Sequence, residues 1–266
     1  MTRKDLLEAL TVLACEAGAA VMAIYASDFD VVVKADASPV TRADVEAERI
    51  ILAGLARLAP DVPVVAEEDC AAGHRAETGP LFFLVDPLDG TKEFVSRNGE
   101  FTVNIALIEN GEPVLGVVFA PALGRLWRGA RGLGAECVGL ADGSVRPIAV
   151  RAAPKDGLVA VGSRSHGGPE TTRWLEHFPV VAFTTAGSSL KLCLVAEGEA
   201  DLYPRLGRTM EWDVAAGDAV LRAAGGLVTG LDATPLAYGK RDRPDEADFA
   251  DPPFVAWGDR SLIRPT

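Results

Sequence analysis

Cysteine and histidine are scarce in this chain, and each scarcity closes off a chemistry. The four cysteines, Cys15, Cys70, Cys137 and Cys193, are scattered singly through 266 residues with no CxxC pair, so they read as reduced, mostly buried thiols rather than disulfides or a zinc site. Only three histidines are present. Positive charge is short as well: 26 Lys and Arg against 38 Asp and Glu give a formal charge of -12, which argues against broad, phosphate-driven nucleic-acid binding. An anionic ligand must therefore be attracted locally. The sequence has no apolar run approaching the ~20 residues of a membrane span, and its start, MTRKDLLEAL, lacks the apolar core and cleavage site of a signal peptide. We expect an intracellular, cytoplasmic chain. Walker A, GxGxxG, HExxH and GxSxG motifs are all missing, which removes the signals of ATPases, Rossmann enzymes, zincins and serine hydrolases.

What is present centres on Leu84 to Phe94, LVDPLDGTKEF. An apolar run, Leu81 to Val85, stops abruptly at Asp86 and Asp89. A strand so rich in Leu, Phe and Val is predicted to be covered on both faces, with its terminal acids in the crevice of an open α/β sheet. Pro87 is expected to end strand pairing and turn the chain. Gly90 permits close backbone approach, and the amides of Gly90, Thr91 and Lys92 could open a helix that binds an anion. Carboxylates beside free amides suggest metal ions beside a phosphate. The alternative is that Asp86 and Asp89 serve only as turn and cap residues.

Elsewhere the pattern is legible in order. Leu6, Leu10, Leu13, Ala17, Val21 and Ile24 predict a long first helix. Val31 to Val33 is β-like, and Thr41 is the expected N-cap of a second helix with Ile51, Leu52, Leu55 and Leu58 as its stripe. Asp44, in the first turn of that helix, reads as a capping-box residue. Val62 to Ala66 is predicted as a strand ending in Glu67, Glu68 and Asp69, so two neighbouring strands would both end in acids. From Phe101 to Gly139 short runs broken by Asn110-Gly111 and repeated Gly predict antiparallel hairpins. Arg151 to Gly157 suggests a boundary, giving an expected organisation of residues 1–152 and 153–266. Beyond it, strands at Leu158–Val161, Val180–Thr184, Ala200–Tyr203 and Gly226–Thr229 alternate with helices at Pro169–His177, Ser188–Glu197 and Glu211–Ala224. The polar tail RDRPDEADFADPP is read as loop.

Asp213, in EWDVAAGDAV, adds a third acidic element in a helical first turn, where capping again competes as its role. Glu67, Asp86, Asp89 and Asp213 form an all-oxygen set without His or Cys, which favours Mg²⁺ or Mn²⁺. Two such ions roughly 3.5 to 4 Å apart would serve phosphate ester hydrolysis. Haloacid-dehalogenase phosphatases are excluded by spacing, since they use Asp-x-Asp and here the acids are three apart around Pro87.

With Glu67-Glu68, DPLDGT at Asp86–Thr91 and WDVAAG at Trp212–Gly217 in this order, the chain resembles the inositol monophosphatase superfamily of Mg²⁺-dependent, lithium-sensitive phosphatases. DGTKEF, NGEFTVNIALI, SRSH, GSSLKLCLVAEGEADLYPR and EWD are most similar to its CysQ-type 3'(2'),5'-bisphosphate nucleotidase branch, since inositol phosphatases usually show Thr-Asn where this chain has Lys92-Glu93. The resemblance implies a layered αβαβα sandwich, α/β in class, with the metals between an N-terminal α+β half and a C-terminal α/β half. It implies two or three Mg²⁺ held by Glu67, Asp86, the Leu88 carbonyl, Asp89 and Asp213, with Glu67, Asp44 and Thr91 as the catalytic set and a Thr91–Asp44 pair activating the attacking water. Leu88, Asp89, Gly90, Thr91 and Asp213 would surround the scissile phosphate, while His166, Ser188, Lys191 and Arg205 would contact the nucleotide and its second phosphate. The implied substrate is a small nucleotide, adenosine 3',5'-bisphosphate, a by-product of sulfate assimilation. An inositol- or sugar-phosphate phosphatase and a non-catalytic nucleotide sensor are the alternatives. The family is monomeric or homodimeric, and some members associate peripherally with the inner membrane. Where the family has His, this chain has Asp218, whose role the sequence leaves open.

Overall fold

Strongly periodic segments of the sequence fold as regular elements, and the computed structural model describes residues 1–33, 39–74, 78–163 and 168–265. The N-terminal part runs α1 (Arg3–Tyr25), β1 (Val31–Val33), β2 (Pro39–Thr41), α2 (Arg42–Leu58), β3 (Val64–Ala66), α3 (Glu67–Ala71), β4 (Leu81–Asp89), α4 (Thr91–Val95), β5 (Thr102–Glu109), β6 (Glu112–Ala120), β7 (Arg125–Ala130), β8 (Gly134–Gly139) and β9 (Val145–Ile148). It continues with β10 (Leu158–Gly162), α5 (Pro169–Leu175), β11 (Val180–Thr185), α6 (Leu190–Ala196), β12 (Leu202–Arg205), β13 (Thr209–Met210), α7 (Glu211–Ala223), β14 (Leu227–Gly230), β15 (Ala250–Asp251) and β16 (Phe254–Trp257).

Strands β3 to β9 form a seven-stranded sheet in sequential order, parallel only between β3 and β4. The strands at its centre are apolar on both sides because both faces are covered. Phe83, Val85, Ile105 and Val117 face the core shared with α1 and α2, while Phe82, Leu84, Ala106 and Val118 face the core shared with α6 and α7. Apart from the β3–β4 pair the sheet is thus antiparallel, in keeping with the hairpins predicted from Phe101 onward. A hairpin meander covered on both faces gives the same continuous apolar reading as a parallel strand.

The second sheet has five strands in the order β11-β10-β12-β16-β14. It closes the far side of the α6–α7 layer, and Trp174 and Phe178 cover its outer face against Leu158, Leu202 and Trp257. Helix, sheet, helix, sheet and helix alternate, the αβαβα sandwich implied by the sequence motifs.

Helix α7 is the central element, buried almost all round, and its spacing from the sheet is set by glycine. A methyl carbon on Gly116 of β6 would overlap the Ala216 carbonyl, and one on Gly129 of β7 would lie 2.9 Å from Ala223 Cβ. Gly217, on the helix itself, admits the Leu192 side chain in the same way.

Two readings of the sequence need correction. The tail is not all loop: Ala250–Asp251 pairs antiparallel with Thr209–Met210, immediately before Pro252 and Pro253. Helix α1 is long and apolar enough, by length and composition, to cross a membrane, contrary to the expectation that no segment would be. Its stripe of Leu6, Leu10, Leu13, Ala17 and Val21 is nevertheless spent on packing against the sheet and α2.

Candidate active site

The alternation of β4 decides where Asp86 points. Phe82 and Leu84 face α7, and one further step of two puts Asp86 on that same face, toward the first turn of the helix that carries Asp213. Pairing does not stop at Pro87. Asp86 pairs with Asn104 and Asp89 with Thr102, and Pro87 and Leu88 bulge between them, where a missing N–H breaks no ladder bond. The Leu88 amide donates to Asp86 Oδ1 at 3.0 Å. In this way carboxylate oxygens of Asp86, Asp89 and Asp213 come within 4.8 Å of one another.

Glu67 begins α3 directly after β3, which runs parallel beside β4, so the two strand ends bring their acids to one place. It lines the same cavity. Burial pushes the Asp86 carboxyl well above its usual range, and the charges of Glu67, Asp89 and Asp213 add to that rise. Asp213 is pushed up to about 6 by burial and by Asp89, although Thr209 Oγ1 at 2.6 Å and the Met210 amide at 3.0 Å donate to its Oδ2. The cap role read for Asp213 is therefore real and uses one oxygen. An all-oxygen cluster this dense suits a small divalent cation, Mg²⁺ or Mn²⁺, and its hard donors fit neither zinc nor copper preference.

Asp44 likewise divides its two oxygens. Oδ2 accepts from the Thr41 amide and the Thr41 hydroxyl, each at 2.8 Å, which is the capping box, while Oδ1 accepts from Thr91 Oγ1 at 3.2 Å. Cap and partner of Thr91 are not alternatives. Burial, with Glu68 adding, pushes Asp44 up to about 6. Thr91 in turn follows Gly90, the N-cap of α4 at φ +88°, where a Cβ would meet Glu100 O, Glu93 Oε2 and Ser188 Cβ, each at 3.3 Å. Only glycine suits both the left-handed backbone and that crowding.

Above the acids lies a cavity of about 270 Å³ whose opposite wall comes from the C-terminal part of the chain. Lys191, in the first turn of α6, is buried, and burial lowers its ammonium to about 8. It donates to the Ser188 carbonyl and lies 5.4 Å from the centre of the Tyr203 ring. Arg205, at the end of β12, donates from Nη2 to Arg208 O at 2.7 Å, and its buried Nε has no partner among the described residues. Ser188 adopts φ +53° and donates to Asp89 Oδ2 at 2.6 Å. Glu67, Asp89, Gly90, Thr91, Ser188, Lys191, Arg205 and Asp213 line one cavity, and behind it Asp44 and the Leu88 carbonyl accept from Thr91 Oγ1 while Asp86 joins the acid cluster. His166 lies outside the described residues. Asp218 does not line the cavity: it is buried behind it, accepting from Arg222 Nε at 2.9 Å and from the Tyr238 hydroxyl at 2.8 Å. Sequence reasoning passed over Ser189, Asn104 and Tyr203, none of which carries a charge or stands in a motif-like pattern of its own.

A family model described as the inositol monophosphatase family matches residues 3–248. The 3'(2'),5'-bisphosphate nucleotidase CysQ of Escherichia coli strain K12 is 48% identical over 241 residues, covering 89% of this chain and 95% of that protein. The protein of the same name from Haemophilus influenzae is 31% identical over 262 residues, 97% of this chain and 95% of that one. Among solved structures, CysQ from Bacteroides thetaiotaomicron superposes with a TM-score of 0.79 at 36% identity, covering 97% of this chain and 98% of that one.

Proposed function

The chain belongs to the inositol monophosphatase family, and from that premise we propose that it is a Mg²⁺-dependent 3'(2'),5'-bisphosphate nucleotidase that releases the 3'-phosphate of adenosine 3',5'-bisphosphate to give AMP. The observation that carries this reading is the pairing of one cavity's two walls: Asp86, Asp89 and Asp213 within 4.8 Å of one another on one side, and the buried Lys191 and half-buried Arg205 on the other. Relatives named for the same activity at 48% identity support the substrate. We place the enzyme in the cytoplasm, as a soluble fold that takes a small nucleotide.

Glu67, Asp86, the Leu88 carbonyl, Asp89 and Asp213 would hold the metal ions. Bound there, Mg²⁺ would offset the charge of the phosphoryl group and acidify water. The chain's own residues do the rest. Gly90 and Thr91 present backbone amides to the scissile phosphate. Thr91 Oγ1, by donating to Asp44, turns its lone pairs toward the attacking water, and the ionised Asp44 carboxylate takes up the proton released through Thr91. Lys191 and Arg205 clamp the second, unreactive phosphate; their charge is local compensation for a chain whose formal net charge is -12.

Phosphate release with Mg²⁺, compared for adenosine 3',5'-bisphosphate and inositol 1-phosphate at matched concentrations, tests the proposal. A large preference for the nucleotide is expected. Preference for the inositol ester would overturn the substrate, and release from neither would favour a non-catalytic nucleotide sensor.

Lys191→Ala should lower kcat/KM for the bisphosphate by roughly 10²-fold, the scale of a lost charge-assisted contact, and that for a nucleoside monophosphate by only a few-fold. Equal losses on both substrates would remove Lys191 from the second-phosphate site.

The acids also set a pH dependence. Asp44 and Asp213 near 6, and Asp86 in the same direction, are all raised above their unfolded values, so between about pH 4 and pH 6 the folded chain holds more protons than the unfolded one. Their contribution favours folding below that window and is lost as pH rises through it. Mg²⁺ binds the ionised carboxylates, so its stabilisation should run the other way. Melting curves with Mg²⁺ and with EDTA should differ more at pH 8 than at pH 5.5, and a difference independent of pH would refute the assignment of metal to these acids.

A further inference from the structure

Ser189 stands at the N-cap of α6, a position where serine ordinarily accepts a hydrogen bond from its own helix. Here it makes no such bond, and its backbone is helical. The hydroxyl is instead turned into the interior: it lies 3.0 Å from Asp89 Oδ2 and 2.6 Å from the Asp213 main-chain carbonyl, and accepts from Asn104 Nδ2 at 2.9 Å. Because Asn104 supplies a proton to the oxygen, the hydroxyl's own proton is left for Asp89 and the Asp213 carbonyl. Asn104 sits opposite Asp86 on β5, is fully buried, and its Oδ1 has no partner among the described residues. A buried amide with one acceptor unmet is costly and is a poor device for stability alone.

We propose that Ser189, oriented by Asn104, is a positioning residue for the metal centre: it fixes Oδ2 of Asp89 relative to the start of α7, joining a ligand carried by β4 to one carried by α7. The proposal takes the metal reading of the acid cluster as given. Groups that orient metal ligands typically contribute 10- to 100-fold in affinity.

Mg²⁺ titration of the full chain, followed by calorimetry and by melting temperature, tests it apart from activity. If the unaltered chain binds no Mg²⁺, the metal reading itself fails. If it binds, Ser189→Ala should raise the midpoint at least tenfold. Asn104→Ala should shift the midpoint in the same direction, and the double variant should match Ser189→Ala alone, since Asn104 acts through Ser189. Val195→Ala loosens the buried face of α6 without touching the hydroxyl and should leave the midpoint in place. An unchanged midpoint in Ser189→Ala, additive shifts in the double variant, or an equal shift from Val195→Ala would each overturn the assignment, and should Ser189→Ala not fold, the Asn104→Ala midpoint alone decides.

Discussion

Asp86→Asn should make the chain more stable in EDTA and nearly inactive in Mg²⁺. Asp86 is the most deeply buried of the clustered acids, and in the ionised form it faces Glu67, Asp89 and Asp213. Asparagine keeps the Oδ1 that accepts from the Leu88 amide, so the bulge after β4 retains its internal hydrogen bond. What changes is one buried negative charge among others, and removing such a charge is worth about 1–3 kcal/mol. For a chain of this size that corresponds to a rise of roughly 3–10 °C in Tm at pH 8 without metal. With Mg²⁺ the same substitution deletes a ligand, and phosphate release should fall by about 10³-fold or more, the scale of losing a principal electrostatic element. The opposite signs are the test. A variant less stable in EDTA, or one that turns over normally, would show that Asp86 is a turn residue and nothing more.

Asp44→Asn should lower kcat by roughly 10² to 10⁴ with KM changed only a few-fold, as for a lost general base. The division of labour between its two oxygens makes this a clean substitution. Asp44 is the N3 member of the capping box opened by Thr41, and an asparagine oxygen there can still accept from the Thr41 amide and hydroxyl, so α2 should be preserved. The atom then facing Thr91 is an amide nitrogen, a donor where the reaction needs an acceptor. In the unaltered enzyme kcat should fall as pH drops through about 6, where Asp44 takes up its proton. The variant should lose that limb, and a pH profile with the limb intact would assign it to another group.

The sequence disclosed the acids and the helices more readily than the arrangement that joins them. Two neighbouring apolar runs that both stop at acids were enough to expect Glu67 near Asp86 and Asp89. The antiparallel character of the main sheet was legible in the hairpin signals after Phe101 and not in β4, because a strand buried on both faces has the same composition in either kind of sheet. Pro87 was misread for a related reason: a proline ends a ladder or sits in a bulge, and only the partner strand distinguishes the two. At Asp44 and Asp213 the local cap pattern was correct but incomplete, since a carboxylate has a second oxygen and its partner lies far off in sequence. Ser189 and Asn104 stood inside stretches that carried the resemblance, yet nothing linked the two, which are 85 residues apart and uncharged.

The absence of slack between α7 and the main sheet bears on how this chain can vary. Gly116 and Gly129 touch no ligand, yet one added methyl at either would wedge against the helix that presents Asp213. A randomised library selected only for turnover should therefore return glycine at 116 and 129 nearly as strictly as aspartate at 86, whereas a free choice of small residues there would mean the helix can ride outward without loss. Heritable tolerance in this protein would then be governed less by distance from the cavity than by clearance from a single helix.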